Sequence, residues 1–202
     1  MAESKRIYEE GNYEFQIATL NESEGTYGEV TTIEGLVNVD ITMSQTTSNI
    51  AADNKTDYLT RKSAMKGSGT ITFIGLSKED YQKLYNLYLD KNTVIVFGSD
   101  VAPRKVGISF KNKQGSLTGD SINKFTLNNC VFDLPNLSTQ TIQEDDTTIR
   151  SFALNVNVNP LEFTNQEGNK DRVTFSLINS VDDTAIWEKV KDLIYVPDQE
   201  LL

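Results

Sequence analysis

The chain contains no histidine, one cysteine and one tryptophan in 202 residues. Without histidine the usual general base near neutral pH and the commonest metal ligand are both missing. Metal sites of the Cys/His type are excluded, and a serine nucleophile could draw only on lysine as its base. Cys130 cannot close an internal disulfide, and its setting in the apolar run LNNCVF predicts a buried, inert thiol. Prolines number four, and internal repeats and low-complexity tracts are lacking. No apolar run approaches the roughly 18 residues that a membrane span needs. The N-terminal stretch MAESKRIYEEGNYEF is polar, with no hydrophobic segment of the kind a secretory signal requires. The expectation is a protein made in a cytoplasm and soluble until it meets its partners, with no membrane among them.

Charge is present in excess and unevenly placed. There are 19 basic and 29 acidic side chains, net −10. Such a chain repels polyphosphate, so tight nonspecific binding to nucleic acid is not expected. Residues 1–34 hold Glu3, Glu9, Glu10, Glu14, Glu22, Glu24, Glu29 and Glu34 against Lys5 and Arg6, net −6. Residues 44–67 hold Lys55, Arg61, Lys62 and Lys66 against Asp53 and Asp57, net +2. A basic segment on an acidic chain can meet an acidic patch on another copy of itself; ordinary solvated charge is the other reading.

Strand patterns dominate. Tyr13–Leu20, Leu36–Met43, Thr70–Ile74, Thr93–Phe97, Val106–Lys111, Lys124–Asp133, Thr148–Val158 and Arg172–Ile178 all read as strands. Val37, Val39, Ile41 and Met43 alternate with Asn38, Asp40, Thr42 and Ser44. Phe152, Leu154, Val156 and Val158 alternate with Ser151, Ala153, Asn155 and Asn157. Each of these strands should bury one face and leave the other polar. The run TVIVF at 93–97 is continuously apolar, as expected of a strand covered on both faces. Between the second and third strands lies a polar connection of more than twenty residues, SQTTSNIAADNKTDYLTRKSAMKGSG. A loop of that length is either disordered or ordered from outside the subunit. Two helices are predicted. One opens at Ser77 with Asp80 as a capping-box partner and carries Tyr81, Leu84, Tyr85 and Tyr88 on one stripe. The other spans Asp183–Leu193, with Ile186, Trp187, Val190 and Leu193 as its apolar face. The fold class is mainly β: a β-sandwich or partial barrel with one flanking helix, a long inter-strand loop and a C-terminal helical segment. A single domain, 1–202, is expected. Its parts are an N-terminal arm over about residues 1–12, the loop 44–67, and a C-terminal helix and tail from about 183 to 202.

Catalytic signals are poor. Gly67-Ser-Gly69 and Gly115–Gly119 lack the Lys-Ser/Thr that completes a phosphate-binding loop. Ser63 beside Lys62 and Lys66 is the nearest approach to a Ser-Lys pair. Glu144-Asp145-Asp146 lacks the alternation and central glycine of a calcium loop. No catalytic residue, metal ligand or cofactor is assigned, and the chain is read as no enzyme.

The segments GLVNVDITMSQTTSNIAADNKTDY and MKGSGTITFIGLSKEDYQKL resemble the major tail protein (tail tube protein) of long, non-contractile-tailed bacteriophages. The resemblance lies over about residues 33–90. It rests on an alternating strand, the element Ala51-Ala52-Asp53-Asn54, a second strand, and a helix running from Gly75-Leu76-Ser77 to Tyr81 and Leu84. It implies a β-sandwich with one helix, assembled as six-subunit rings that stack into a hollow tube. Such a tube surrounds a tape measure protein, joins tail-end proteins and lets double-stranded DNA pass without specific binding. It also implies that the long loop touches neighbouring subunits and the adjacent ring, through Ile50, Asp53, Asn54, Lys55, Asp57, Tyr58, Arg61 and Lys62. Asn38, Asp40, Thr42, Asn155 and Asn157 offer a hydrated face without cations that would suit a lumen. Two other readings stand beside this one: a monomeric carbohydrate-binding or adhesin-type β-sandwich, and an enzyme built on a carboxylate pair.

Overall fold

The computed structural model describes residues 7–53, 55–85, 87–96, 103–116, 119–135 and 151–198. In chain order the strands are β1 (Ile7–Asn21), β2 (Thr26–Tyr27), β3 (Thr31–Ile33), β4 (Leu36–Ser44), β5 (Thr47–Ala52), β6 (Lys55–Lys62) and β7 (Lys66–Phe73). Helix α1 (Lys78–Leu84) is followed by β8 (Tyr88–Leu89), β9 (Ile95–Val96), β10 (Lys105–Ser116), β11 (Gly119–Phe132), β12 (Phe152–Val158), β13 (Leu161–Thr164), β14 (Lys170–Val173) and β15 (Phe175–Asn179). Helix α2 (Thr184–Val190) comes last. The fold is mainly β and antiparallel, as the alternating patterns predict.

One nine-stranded sheet organises the molecule, in the order β2-β1-β10-β11-β12-β7-β4, with β3 added to β1 and β15 to β11. The sheet curls on itself. β3 pairs with β1, the chain bends at Glu34-Gly35, and β4 then pairs with β7 on the opposite edge. The bend needs the positive φ of Gly35, and the Gly35 carbonyl accepts the Ile74 amide at 2.8 Å. The concave side closes over Phe15, Ile33, Ile71, Phe73, Val106 and Val156, all at most 1% exposed. Phe15 and Phe73 meet edge to face at 5.1 Å between ring centres. Cys130 is buried here as expected, and burial pushes its thiol pKa up.

The convex side is covered only over β1, β10 and β11. α2 packs Trp187 and Val190 against Ile178, and the following segment brings Ile194 onto Gly107 and Val196 beside Leu20 and Leu161. β10 is therefore buried on both faces from Val106 to Asn112.

Several expectations need correction. Of the N-terminal arm expected over about residues 1–12, residues 7–12 belong to β1 and pair with the far end of β10, while residues 1–6 lie outside the described residues. Val37 is turned outward, 48% exposed, because a bulge between Leu36 and Asn38 resets the alternation. The run 93–97 is not covered on both faces: Val94 and Val96 are exposed and only Ile95–Val96 form a strand, paired with β8. Phe97 lies outside the described residues. α1 stops at Leu84 with Tyr85 as an extended C-cap, so Tyr88 falls in β8 rather than on the helical stripe. Leu193 lies past the end of α2, exposed rather than on its apolar face. The strand expected over Arg172–Ile178 is two, broken at Thr174, whose hydroxyl donates to the Met65 carbonyl. Residues 148–150 and the Glu144-Asp145-Asp146 cluster lie outside the described residues.

Candidate functional site

The long polar connection is a hairpin. β5 and β6 pair in the register Thr47↔Lys62, Ser48↔Arg61, Asn49↔Thr60 and Ile50↔Leu59, then Ala52↔Lys55 after a shift. The connection is thus a strand pair and not an irregular loop. The sequence carried a signal for it that strand-by-strand reading missed. The dipeptide Asp-Asn, whose residue types tolerate positive φ, is a sequence signal for a two-residue hairpin turn. Asp53 has φ of 51°. Asn54 lies outside the described residues.

The hairpin stands away from the body. Every side chain described between Gln45 and Ser63 is exposed, including Ile50, Tyr58, Leu59, Arg61 and Lys62. Lys55 and Asp57 are placed on β6. Ile50 and Leu59 face each other across the ladder and are each 44% exposed. The base of the hairpin is clamped. The Ser63 amide donates to Thr46 O at 2.8 Å, the Thr46 amide donates to Ser63 Oγ at 2.9 Å, and Gln45 Nε2 donates to Ser63 O at 2.9 Å. Ser63 Oγ thus serves a turn, and Lys62 and Lys66 are exposed rather than turned toward it as bases.

The arm grows directly from the β4–β7 pair, and that pair carries the second set of expected residues. The ladder aligns Asn38 with Thr72 and Ala153, Asp40 with Thr70 and Asn155, and Thr42 with Ser68 and Asn157. Directly opposed residues share a face, so five residues from two distant segments lie on one polar surface across β4, β7 and β12. Asn38, Asp40, Thr42, Asn155 and Asn157 are all exposed. Asn157 Nδ2 donates to Asp133 Oδ1 at 2.9 Å, adding a carboxylate at the β11 side. The three rows contain no cation; the next row, Ser44↔Lys66, brings one at the root of the arm. The opposite faces of the same strands are apolar: Val39, Ile41 and Met43 are half-buried, and Leu154, Val156 and Val158 are buried.

The acidic N-terminal segment, residues 1–34, is partly neutralised within the chain. Glu10 pairs with Lys113 at 2.7 Å, Glu14 with Lys111 at 2.7 Å and Glu22 with Lys105 at 2.5 Å. Glu9, Glu24, Glu29 and Glu34 are exposed, while Glu3 lies outside the described residues.

Two other places bear on ligand chemistry. A cleft of about 700 Å³ between the β1–β2 turn and β13 is lined by Glu22, Glu24, Lys105, Asn129, Glu162 and Asp198, with Phe163 as its aromatic. Phe163 packs against Leu20, Leu161, Val173 and Val196 rather than presenting a flat ring. The sole tryptophan, Trp187, is 9% exposed under α2, so it offers no platform for a sugar. Among the described residues no group of three or more Cys, Asp or Glu side chains could hold a metal ion. No protein-family model matches this chain, and no curated protein sequence matches it.

Proposed function

We propose that the protein is a structural virion subunit. It polymerises as stacked hexameric rings into the tube of a long, non-contractile phage tail, after synthesis in the bacterial host cytoplasm. One observation carries the reading. A basic two-stranded arm projects from an acidic body, exposed at every side chain described in it, as a continuation of a strand pair with one polar face. An isolated two-stranded hairpin is marginal in water, so an arm of this form gains its stability from a surface supplied by another molecule. The opposite net charges of arm and body make another copy of this chain that molecule. A ring requires unlike patches on one subunit, and arm and body are unlike.

The polar face of β4, β7 and β12 suits the lumen. Its amides and hydroxyls hold water, and its carboxylates Asp40 and Asp133 repel phosphate. DNA passing such a wall finds no cation in the three central rows to release counterions against. A tape measure protein would fill the same channel before ejection, and tail-end proteins would close the tube.

Negative-stain electron microscopy of the concentrated protein tests the assembly: rings or tubes are expected. A strictly monomeric protein at all concentrations, binding a glycan array, would replace this reading with the adhesin one. Excising residues 47–62 should leave a folded monomer that forms neither rings nor tubes. For the lumen, Asp40→Lys should slow DNA ejection from phage carrying it, and unchanged ejection would move this face to the outside of the tube.

A further inference from the structure

Beneath the C-terminal segment lies a lysine that is fully buried, with no carboxylate in contact among the described residues. Lys124, on the convex face of β11, is 0% exposed. Its Nζ donates to Lys191 O at 2.8 Å, at the C-terminal end of α2, and to Gln16 Oε1 at 3.1 Å on β1. Both acceptors are neutral. Gln16 Oε1 also accepts the Ser109 hydroxyl at 3.1 Å, and the neighbouring Thr126 Oγ1 is buried without a partner.

The charged groups around this amine do little to compensate it. On β10, Lys111 adds a second ammonium, itself held by Glu14 of β1 at 2.7 Å and by Asp192 at 3.7 Å. Lys191 turns its own ammonium to Glu188 at 2.7 Å. β15, which pairs with β11 here, has no titratable side chain. Burial first, and then Lys111, push the Lys124 pKa down to about 8, with Asp192 and Glu14 pulling weakly the other way.

We propose that residues 184–198 form a displaceable cover over β1, β10 and β11, weakened at neutral pH by the protonated amine of Lys124 beneath it and tightened when that proton leaves. The inference is independent of the tail-tube reading. The sign follows from linkage: a group whose pKa is lower in the covered state binds more protons when uncovered, so covering strengthens as pH rises from about 8 toward the solvated lysine value. The apolar anchors Trp187, Val190, Ile194 and Val196 hold the cover down at every pH. Opening it would present Lys124 and Lys111 together, a cationic spot on an acidic chain. Burial raises the pKa of Tyr195 on the cover and of Tyr27 under it, so their ionisation favours the uncovered state and opposes the rise, but only slightly below the ordinary tyrosine value of about 10.

Hydrogen exchange of the whole protein, corrected for the intrinsic pH dependence of exchange, reads the cover directly. Between pH 7.5 and pH 9.5, protection of 184–198 should rise by about 20-fold for a lysine shifted from its usual value to about 8. β7 and β12 should change little. Lys124→Met should protect the cover at both pH values and abolish the rise. Three results would overturn the proposal: no rise in the wild-type protein, an equal rise in β7 and β12, or a rise that persists in Lys124→Met. If that variant does not fold, the wild-type profile decides alone.

Discussion

A methyl group added at Gly69 would overlap the carbonyl oxygen of Asp40 on the neighbouring strand. The obstacle is backbone, which cannot swing aside as a side chain can, so the β4–β7 ladder itself must part. Gly69→Ala is expected to cost about 3 kcal/mol, the upper end for overpacking a well-filled site, seen as a lower urea midpoint. A smaller residue-scale effect sits at the start of α1. Ser77 Oγ accepts the Asp80 amide, and Asp80 Oδ2 accepts the Ser77 amide at 2.9 Å. Burial pulls the Asp80 pKa upward, but the Ser77 hydroxyl and amide, both donating to Asp80 Oδ2, with Lys83 nearby, carry it below its usual value. A depressed carboxyl stabilises the fold above its unfolded pKa and ceases to do so as pH falls through the folded one. The cap should therefore weaken below about pH 4. Ser77→Ala should cost about 1 kcal/mol at neutral pH by denaturant titration. Both groups of the box were legible in the sequence because a capping box is local, three residues apart. The ban on a side chain at Gly69 was not, because it depends on how closely another strand approaches.

At the scale of elements, the arm and the cover respond oppositely to removal. Replacing residues 47–62 by a tight turn removes side chains that are exposed wherever they are described and a ladder formed between β5 and β6. The melting temperature of the remaining monomer should move by no more than about 3 °C. The cover is keyed to the sheet. A Cβ at Gly107 would stand 2.5 Å from Ile194 Cγ2 and 2.6 Å from the Tyr27 ring. The Tyr27 ring is pinned, its hydroxyl donating to Asn128 Oδ1 at 3.0 Å and accepting the Asn129 amide at 3.1 Å. Gly107→Val should thus push Ile194 outward and speed hydrogen exchange over 193–198, while β4–β7 stays protected. The alternation of β4 and β12 could be read from sequence, since period two is imposed by the strand itself. The split of 172–178 at Thr174 could not, because it goes with a partner distant in the chain, the Met65 carbonyl.

At the scale of the whole molecule, charge separates a basic arm from an acidic body. If arm meets body between copies, assembly should be fastest at low ionic strength and slow as salt screens the attraction. Arg61→Glu with Lys62→Glu should slow it further at low salt and remove most of the salt dependence, as followed by light scattering. Unchanged kinetics in the double variant would assign recognition to the apolar pair Ile50 and Leu59 instead.

The sequence by itself determined the chemistry available and the faces of individual strands: no histidine, one inert thiol, alternating strands with one polar side, and a capped helix after Gly75. These depend on composition and on neighbours two to four residues apart. Only the tertiary structure decided that Asn38, Asp40 and Thr42 lie beside Asn155 and Asn157, and that the polar stretch after β4 rises as a hairpin. It alone placed Lys124 beneath the last helix. Those outcomes depend on register between segments as much as a hundred residues apart, which hydrogen bonds across the sheet fix and local pattern does not encode.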